Sequence, residues 1–166
     1  GAAQTADLAH YRVAYFEGLA PTTLHVITDN VTLPSAEGVL AVWDTTPLNG
    51  LYTVVLTVVR QDGTFAEVNV PVTVDNVPPT AVLTATQPVA GGTEVVLAVE
   101  AADGVQVARV SFYADGAGMP FATRTAAPFT AVVALPAQGC TTFRAVAFDG
   151  AGNSGESTAV DVCGPE

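Results

Sequence analysis

The chain has 166 residues, 49% hydrophobic and only 13% charged, and its formal net charge of -11 provides no basic surface for nucleic acid or an anionic membrane. Its five basic residues are all arginine (Arg12, Arg60, Arg109, Arg124 and Arg144), which excludes lysine chemistry, Schiff bases and Lys-Asn isopeptide cross-links included. No apolar run approaches the roughly 18 to 20 residues of a membrane-spanning helix, and a charged content well below the usual value of about 25% points to apolar surface covered by neighbours.

Residues 1–9 are small and polar with Leu8 as their one anchor, and read as a tail or an edge strand. His10 to Phe16 alternates large and small side chains and closes at Glu17-Gly18, a first strand and turn. Thr22 to Thr28 reads as a second strand, followed by a polar loop with Asp29, Asn30 and Pro34. Gly38 to Trp43 reads as a third, and the segment from Asp44 to Gly50 as a turn with two breakers, Pro47 and Gly50. Leu51 to Arg60 and Thr64 to Asp75 form a hairpin across Gln61-Asp62-Gly63, where glycine supplies the positive φ such loops require. Five strands fall short of the seven of a complete sandwich, so this half is expected to have an open edge.

At Asp75-Asn76-Val77-Pro78-Pro79-Thr80 the alternating pattern breaks. Pro78 and Pro79 lack backbone donors and fix φ, and the residues before them are pushed toward extended backbone, so no sheet continues through. The expected organisation is an N-terminal β-sandwich over residues 1–75, a Pro-Pro linker over 76–79 and a C-terminal β-sandwich over 80–166.

The second half offers seven short strands separated by Gly, Pro or Asp turns: Thr80 to Thr86, Thr93 to Ala102, Val107 to Ala114, Pro120 to Arg124, Phe129 to Leu135, Cys140 to Phe148 and Glu156 to Cys163. Gly91-Gly92 reads as a turn. Period two places Phe143, Ala145 and Ala147 on one face, assigned to the core. If the last two strands form a hairpin with Phe148 opposite Gly155, counting back along both puts Cys140 opposite Cys163. A disulfide there closes a loop worth on the order of 3 kcal/mol in the chain-entropy model and implies an oxidising compartment; the alternative is two buried free thiols.

Val110-Ser111-Phe112-Tyr113-Ala114-Asp115-Gly116 and Ala147-Phe148-Asp149-Gly150-Ala151-Gly152-Asn153 resemble the third-strand motif and the Asp-x-x-Gly-Asn loop of tandem bacterial Ig-like modules. Trp43 to Thr53 resembles a repeat found beside those modules, and the Asp75 to Pro79 break resembles their Asp-Asn-x-Pro-Pro joint. The resemblance implies an all-β fold of two Ig-like or fibronectin-III-like sandwiches in tandem, in a secreted or cell-surface protein. The cysteine pair is not part of the general pattern.

Sites of chemistry are few. His10 and His25 lack zinc-ligand spacing, and Ser35, Ser111, Ser154 and Ser157 lack a nucleophile elbow, so no catalytic residues are assigned. Asn30-Val31-Thr32 is a formal glycosylation sequon. Trp43 and Tyr52 are glycan-stacking candidates, with core packing the competing role. An immunoglobulin topology brings Asp103, Asp149 and Asn153 to the chain's entry, where Asp75 and Asn76 arrive from the first half; these five are the expected ligands of a calcium ion, against the alternative that they cap turns.

The function expected is that of an extracellular, non-enzymatic structural or adhesive protein. It partners with itself, as the subunit of a homopolymeric surface fibre or stalk, or with neighbouring surface domains. Residues 1–9 or the tail from Cys163 to Glu166 would complete a neighbour's open edge. The alternatives are an accessory module of a secreted or wall-associated enzyme and a carbohydrate-binding module.

Overall fold

The computed structural model describes residues 1–21, 23–35, 37–86, 93–134 and 137–164, which fall into two compact units, Gly1–Asn76 and Val77–Glu166. The fold is all-β, with no helix among the described residues. The Gly91-Gly92 turn and the last two residues of the C-terminal tail lie outside the described residues.

The first unit is one antiparallel sheet, formed by β1 (Leu8–Glu17), β2 (His25–Val31), β3 (Gly50–Arg60) and β4 (Phe65–Val74) in the order β2-β1-β3-β4. Its central strands are rich in aromatic and β-branched residues, which suit a pleated, half-buried surface. Tyr11 and Val13 of β1 are buried against Ile27, Val54 and Leu56, while Ala14 and Phe16 are buried too, beyond a register irregularity between Val13 and Ala14. The β3–β4 hairpin turns at Gly63, φ +83°, where Asp62 Oδ1 accepts from the Thr64 N–H (2.9 Å) and hydroxyl (2.7 Å).

Over this sheet lies chain that is not a strand. The strand expected at Gly38 to Trp43 does not form, because Leu40 and Ala41, which are consecutive, both pack on the sheet while Val39 and Val42 are 80% and 85% exposed. A pleated strand sends neighbouring side chains to opposite faces. The carbonyls of this segment are met otherwise: Gly38 O accepts from the Gly1 ammonium (2.9 Å) and Leu40 O from the Tyr11 hydroxyl (3.2 Å). The N-terminal segment is docked. Ala3 exchanges both backbone hydrogen bonds with Ser35 (2.8 and 3.0 Å) and is 1% exposed.

The second unit is a two-sheet sandwich of β5 (Thr80–Ala85), β6 (Glu94–Ala102), β7 (Val107–Ala114), β8 (Ala122–Arg124), β9 (Phe129–Ala134), β10 (Cys140–Asp149), β11 (Ser154–Glu156) and β12 (Val160–Cys163). One sheet runs β5-β6-β9; the other runs β11-β10-β7-β8, with β12 also paired to β10. Phe112, Leu97, Val110 and Val95 form the fully buried centre, joined by Phe143, Ala145 and Ala147 on the expected face of β10.

The expected last strand is split, and the split sets its register. Gly155 pairs with Ala147 rather than with Phe148, one residue off the count from sequence. Between β11 and β12 the chain gains one residue against β10, so that Val160 pairs with Phe143 and Cys163 meets Cys140 after all. Ser157 makes the irregularity tolerable: its N–H donates to Ala145 O (2.9 Å), and its hydroxyl accepts from the Ala145 N–H (3.0 Å), replacing the ladder carbonyl.

Gly155 has no room for a side chain, since a Cβ there would collide with the backbone carbonyl of Pro79. At Gly150, by contrast, a Cβ meets nothing within 4 Å. Gly155→Ala is therefore expected to destabilise the second unit by about 1–3 kcal/mol through overpacking, with Gly150→Ala close to wild type; denaturant unfolding of both variants checks this.

Candidate functional site

The aromatic residues of the first unit gather at one end of its covered face. Alternation puts Tyr15, His25 and Tyr52 on the same side of the sheet, and Trp43 is brought over them by the irregular segment. Tyr15 contacts Trp43 at 4.6 Å between ring centroids, stacks on His25 at 5.1 Å and meets Tyr52 edge-on at 5.9 Å. Tyr52 is 8% exposed and its hydroxyl donates to Asn49 O (3.2 Å), so it forms part of the core. Trp43 is half-buried, and its indole N–H is buried without a hydrogen-bond partner among the described residues. His10 is half-buried on β1.

The turn before β3 is tied to the end of the unit by Asn76, whose side-chain amide donates to Thr45 O (2.8 Å) and Leu48 O (2.7 Å). The Asn76 N–H in turn donates to Asn49 Oδ1 (2.7 Å). Asn76 thus has a clasping role not read from its sequence position. The only sequence cue was a turn-forming Asn-Gly pair 27 residues upstream.

In the second unit Asp149 ends β10 and organises the loop that follows. Its Oδ1 accepts from the N–H groups of Ala151 (2.9 Å), Gly152 (2.7 Å) and Asn153 (2.8 Å), and its Oδ2 from the Asn153 side-chain amide (2.7 Å). Gly152 adopts φ +102°, a conformation open to glycine. Burial raises the Asp149 pKa, but these hydrogen bonds to the ionised form outweigh it and hold the carboxyl below its ordinary value. Asp103 closes a smaller turn, its Oδ2 accepting from the Val105 (2.9 Å) and Gln106 (2.8 Å) N–H groups. A carboxylate oxygen of Asp103 lies within 4.8 Å of one of Asp149, and Asp103 Oδ1 is buried with no partner among the described residues. Of the five expected ligands, Asp103, Asp149 and Asn153 belong to this unit and Asp75 and Asn76 to the other.

At the other end of the hairpin Cys140 and Cys163 form a disulfide at exposed positions. Serine hydroxyls in this unit serve the backbone and neighbouring side chains: Ser111 pairs with Thr123 (3.1 Å) and Ser157 fills the ladder.

Residues 79–152 match the family model described as bacterial Ig domain. This stretch of the second unit is similar to bacterial Ig domains. Domains of this family are generally non-catalytic, and together with an intramolecular disulfide they are typical of extracellular or surface proteins. No curated protein matches the chain. Among solved structures, the chain is similar to fibronectin(III)-like modules of Clostridium thermocellum CbhA, with 20% identity over 95% of this chain and 78% of that one at a TM-score of 0.47. It is also similar to a tetra-tandem repeat in the extending region of a large adhesion protein, with 18% identity over 95% of this chain and 42% of that one at a TM-score of 0.41.

A carboxylate whose folded pKa is lowered contributes stability above its unfolded pKa, and loses it as pH falls through the folded value. Asp149→Asn keeps an acceptor for the loop but sets an amide against the Asn153 amide, so the second unit of the variant is expected to melt several degrees below wild type at neutral pH. That gap is expected to narrow as pH falls below the ordinary carboxylate range and through the lowered folded value, where the wild-type carboxyl also protonates. Thermal melts of both proteins across the acid range read this directly.

Proposed function

We propose that this is an extracellular, non-enzymatic structural or adhesive protein whose two β units serve as modules of a surface fibre or stalk. The observation that carries the reading is the exposed Cys140–Cys163 disulfide across the final hairpin of a bacterial Ig domain, a bond that persists only in an oxidising compartment. The charge-poor surface supports association with copies or neighbours, since Val39, Val42, Val68 and Val70 of the first unit are half or more exposed.

Association by strand exchange is the less favoured route. Ala3 is already buried on its own unit, and Pro71 interrupts the donors of β4, an edge strand. Contacts between side-chain faces suit this surface better. Calcium held through Asp103 and Asp149 is a further part of the proposal, and it predicts a melting temperature higher in calcium than in chelator; equal values remove it.

The test of the main reading is labelling of intact source cells with a membrane-impermeant reagent, followed by electron microscopy of the protein released from them. Labelled protein in filaments is the expected result. Protein protected until lysis would overturn the extracellular assignment, and labelled but isolated particles would overturn the fibre alone.

A further inference from the structure

The two sheets of the second unit turn unlike outer faces to solvent. Alternation with the buried Val110, Phe112, Phe143, Ala145 and Ala147 points Arg109, Tyr113, Arg144 and Phe148 outward from β7 and β10. Each guanidinium lies on the ring across the ladder, Arg109 over Phe148 at 3.9 Å from the centroid and Arg144 over Tyr113 at 4.2 Å. Arg144 also reaches Glu156 (3.4 Å), whereas Arg109 is exposed and meets no carboxylate among the described residues. With Arg124 of β8, all three arginines of the unit belong to this sheet.

On the other sheet the buried Val95, Leu97 and Val99 alternate with Glu94, Val96, Ala98 and Glu100, which point outward. The two glutamates are the only charged residues of β5, β6 and β9. Val82 and Val132 on the neighbouring strands are 55% and 58% exposed. Beside Glu100 the face dips into an open recess of about 500 Å³, lined in part by Val82, Thr84, Ala98 and Pro128.

We propose that these two faces dock on each other between copies of the chain, the Arg109–Phe148 stack of one molecule entering the Glu100 recess of the next and Arg144 standing against Glu94. This contact rests on the fibre reading and specifies how its subunits meet. The ends of the sandwich agree with it. β6 runs out at Ala102, and the Asp103 carboxylate that follows lies within 4.8 Å of that of Asp149, the residue after Phe148. Glu100 and the Arg109–Phe148 stack therefore share one end of the unit, and Glu94 and the Arg144–Tyr113 stack lie toward the other. A copy shifted across the sandwich without turning over sets opposite charges together at both ends.

A guanidinium held flat on a ring keeps its N–H groups in fixed directions for a carboxylate, and Val82 and Val132 leave water against the aromatic faces. Repulsion between copies of net charge -11 is largely screened beyond about 8 Å at physiological salt, while pairs in contact are screened much less. Because the contact joins unlike faces it leaves one of each free, so it repeats into an open stack.

The test is sedimentation of the full chain over a concentration series at about 0.15 M salt, beside Arg109→Glu, Glu100→Arg and an equimolar mixture of the two variants. The wild type is expected to form larger species as concentration rises. Each variant alone sets like charges together and is expected to associate about tenfold more weakly. The mixture offers opposite charges at every contact and is expected to recover wild-type association, which also shows that both variants fold. Thermal melts identify a variant that does not fold, and the other then decides alone. A wild type that stays monomeric overturns the contact, with the filaments from source cells judging the fibre reading separately. Folded variants that associate like the wild type, or a mixture of folded variants that recovers nothing, overturn the contact and leave the fibre reading standing.

Discussion

The hydrogen-bond demand of the loop after β10 is the constraint on which the second unit turns, and one carboxylate meets it. By taking three successive N–H groups on Oδ1, Asp149 fixes a tight return of the chain, and the return fixes which residue of β11 faces which residue of β10. Gly155 is thereby delivered beneath the Pro79 carbonyl, a place only glycine can occupy. The register would then leave the cysteines out of step, and the extra residue beside Ser157 restores it. Loop, glycine, serine and disulfide are successive consequences of a single geometry, which is why the motif is polar in a chain otherwise poor in charge.

The first unit solves the same problem by different means. One sheet supplies one layer, and the facing layer is irregular chain whose backbone groups are satisfied individually: by the N-terminal ammonium, by the Tyr11 hydroxyl, by the Ala3–Ser35 exchange and by the Asn76 amide. The backbone partners that a second sheet would supply are replaced by specific polar contacts, each separable from the rest. The cost appears at the surface, where Val39 and Val42 face outward because Leu40 and Ala41 must both face in.

Much of this was legible in sequence because period two is a strong signal: the hairpin at Gly63, the strands of the second unit and the core face of β10 all follow from it. What escaped was set by contacts distant in the chain. The segment from Gly38 to Trp43 has strand-like residues, and only its packing shows that two consecutive side chains point the same way. The cysteine pairing followed from counting along an unbroken hairpin, whereas the true pairing passes through two compensating departures from that count. The donor role of the Asn76 side-chain amide, whose Nδ2 meets the Thr45 and Leu48 carbonyls, depends on a turn 28 to 31 residues upstream and has no local cue. Residues 1–9 carry too little pattern to reveal that Ala3 is buried.

The disulfide joins the fold to the proposed function, since it closes the hairpin that Asp149 begins and is of a kind typical of extracellular or surface proteins. The most direct measurement is alkylation of the protein in its native source before lysis, followed by non-reducing peptide mapping. The account predicts unalkylated cysteines and a linked peptide pair containing Cys140 and Cys163. Two alkylated thiols in natively folded material would contradict it.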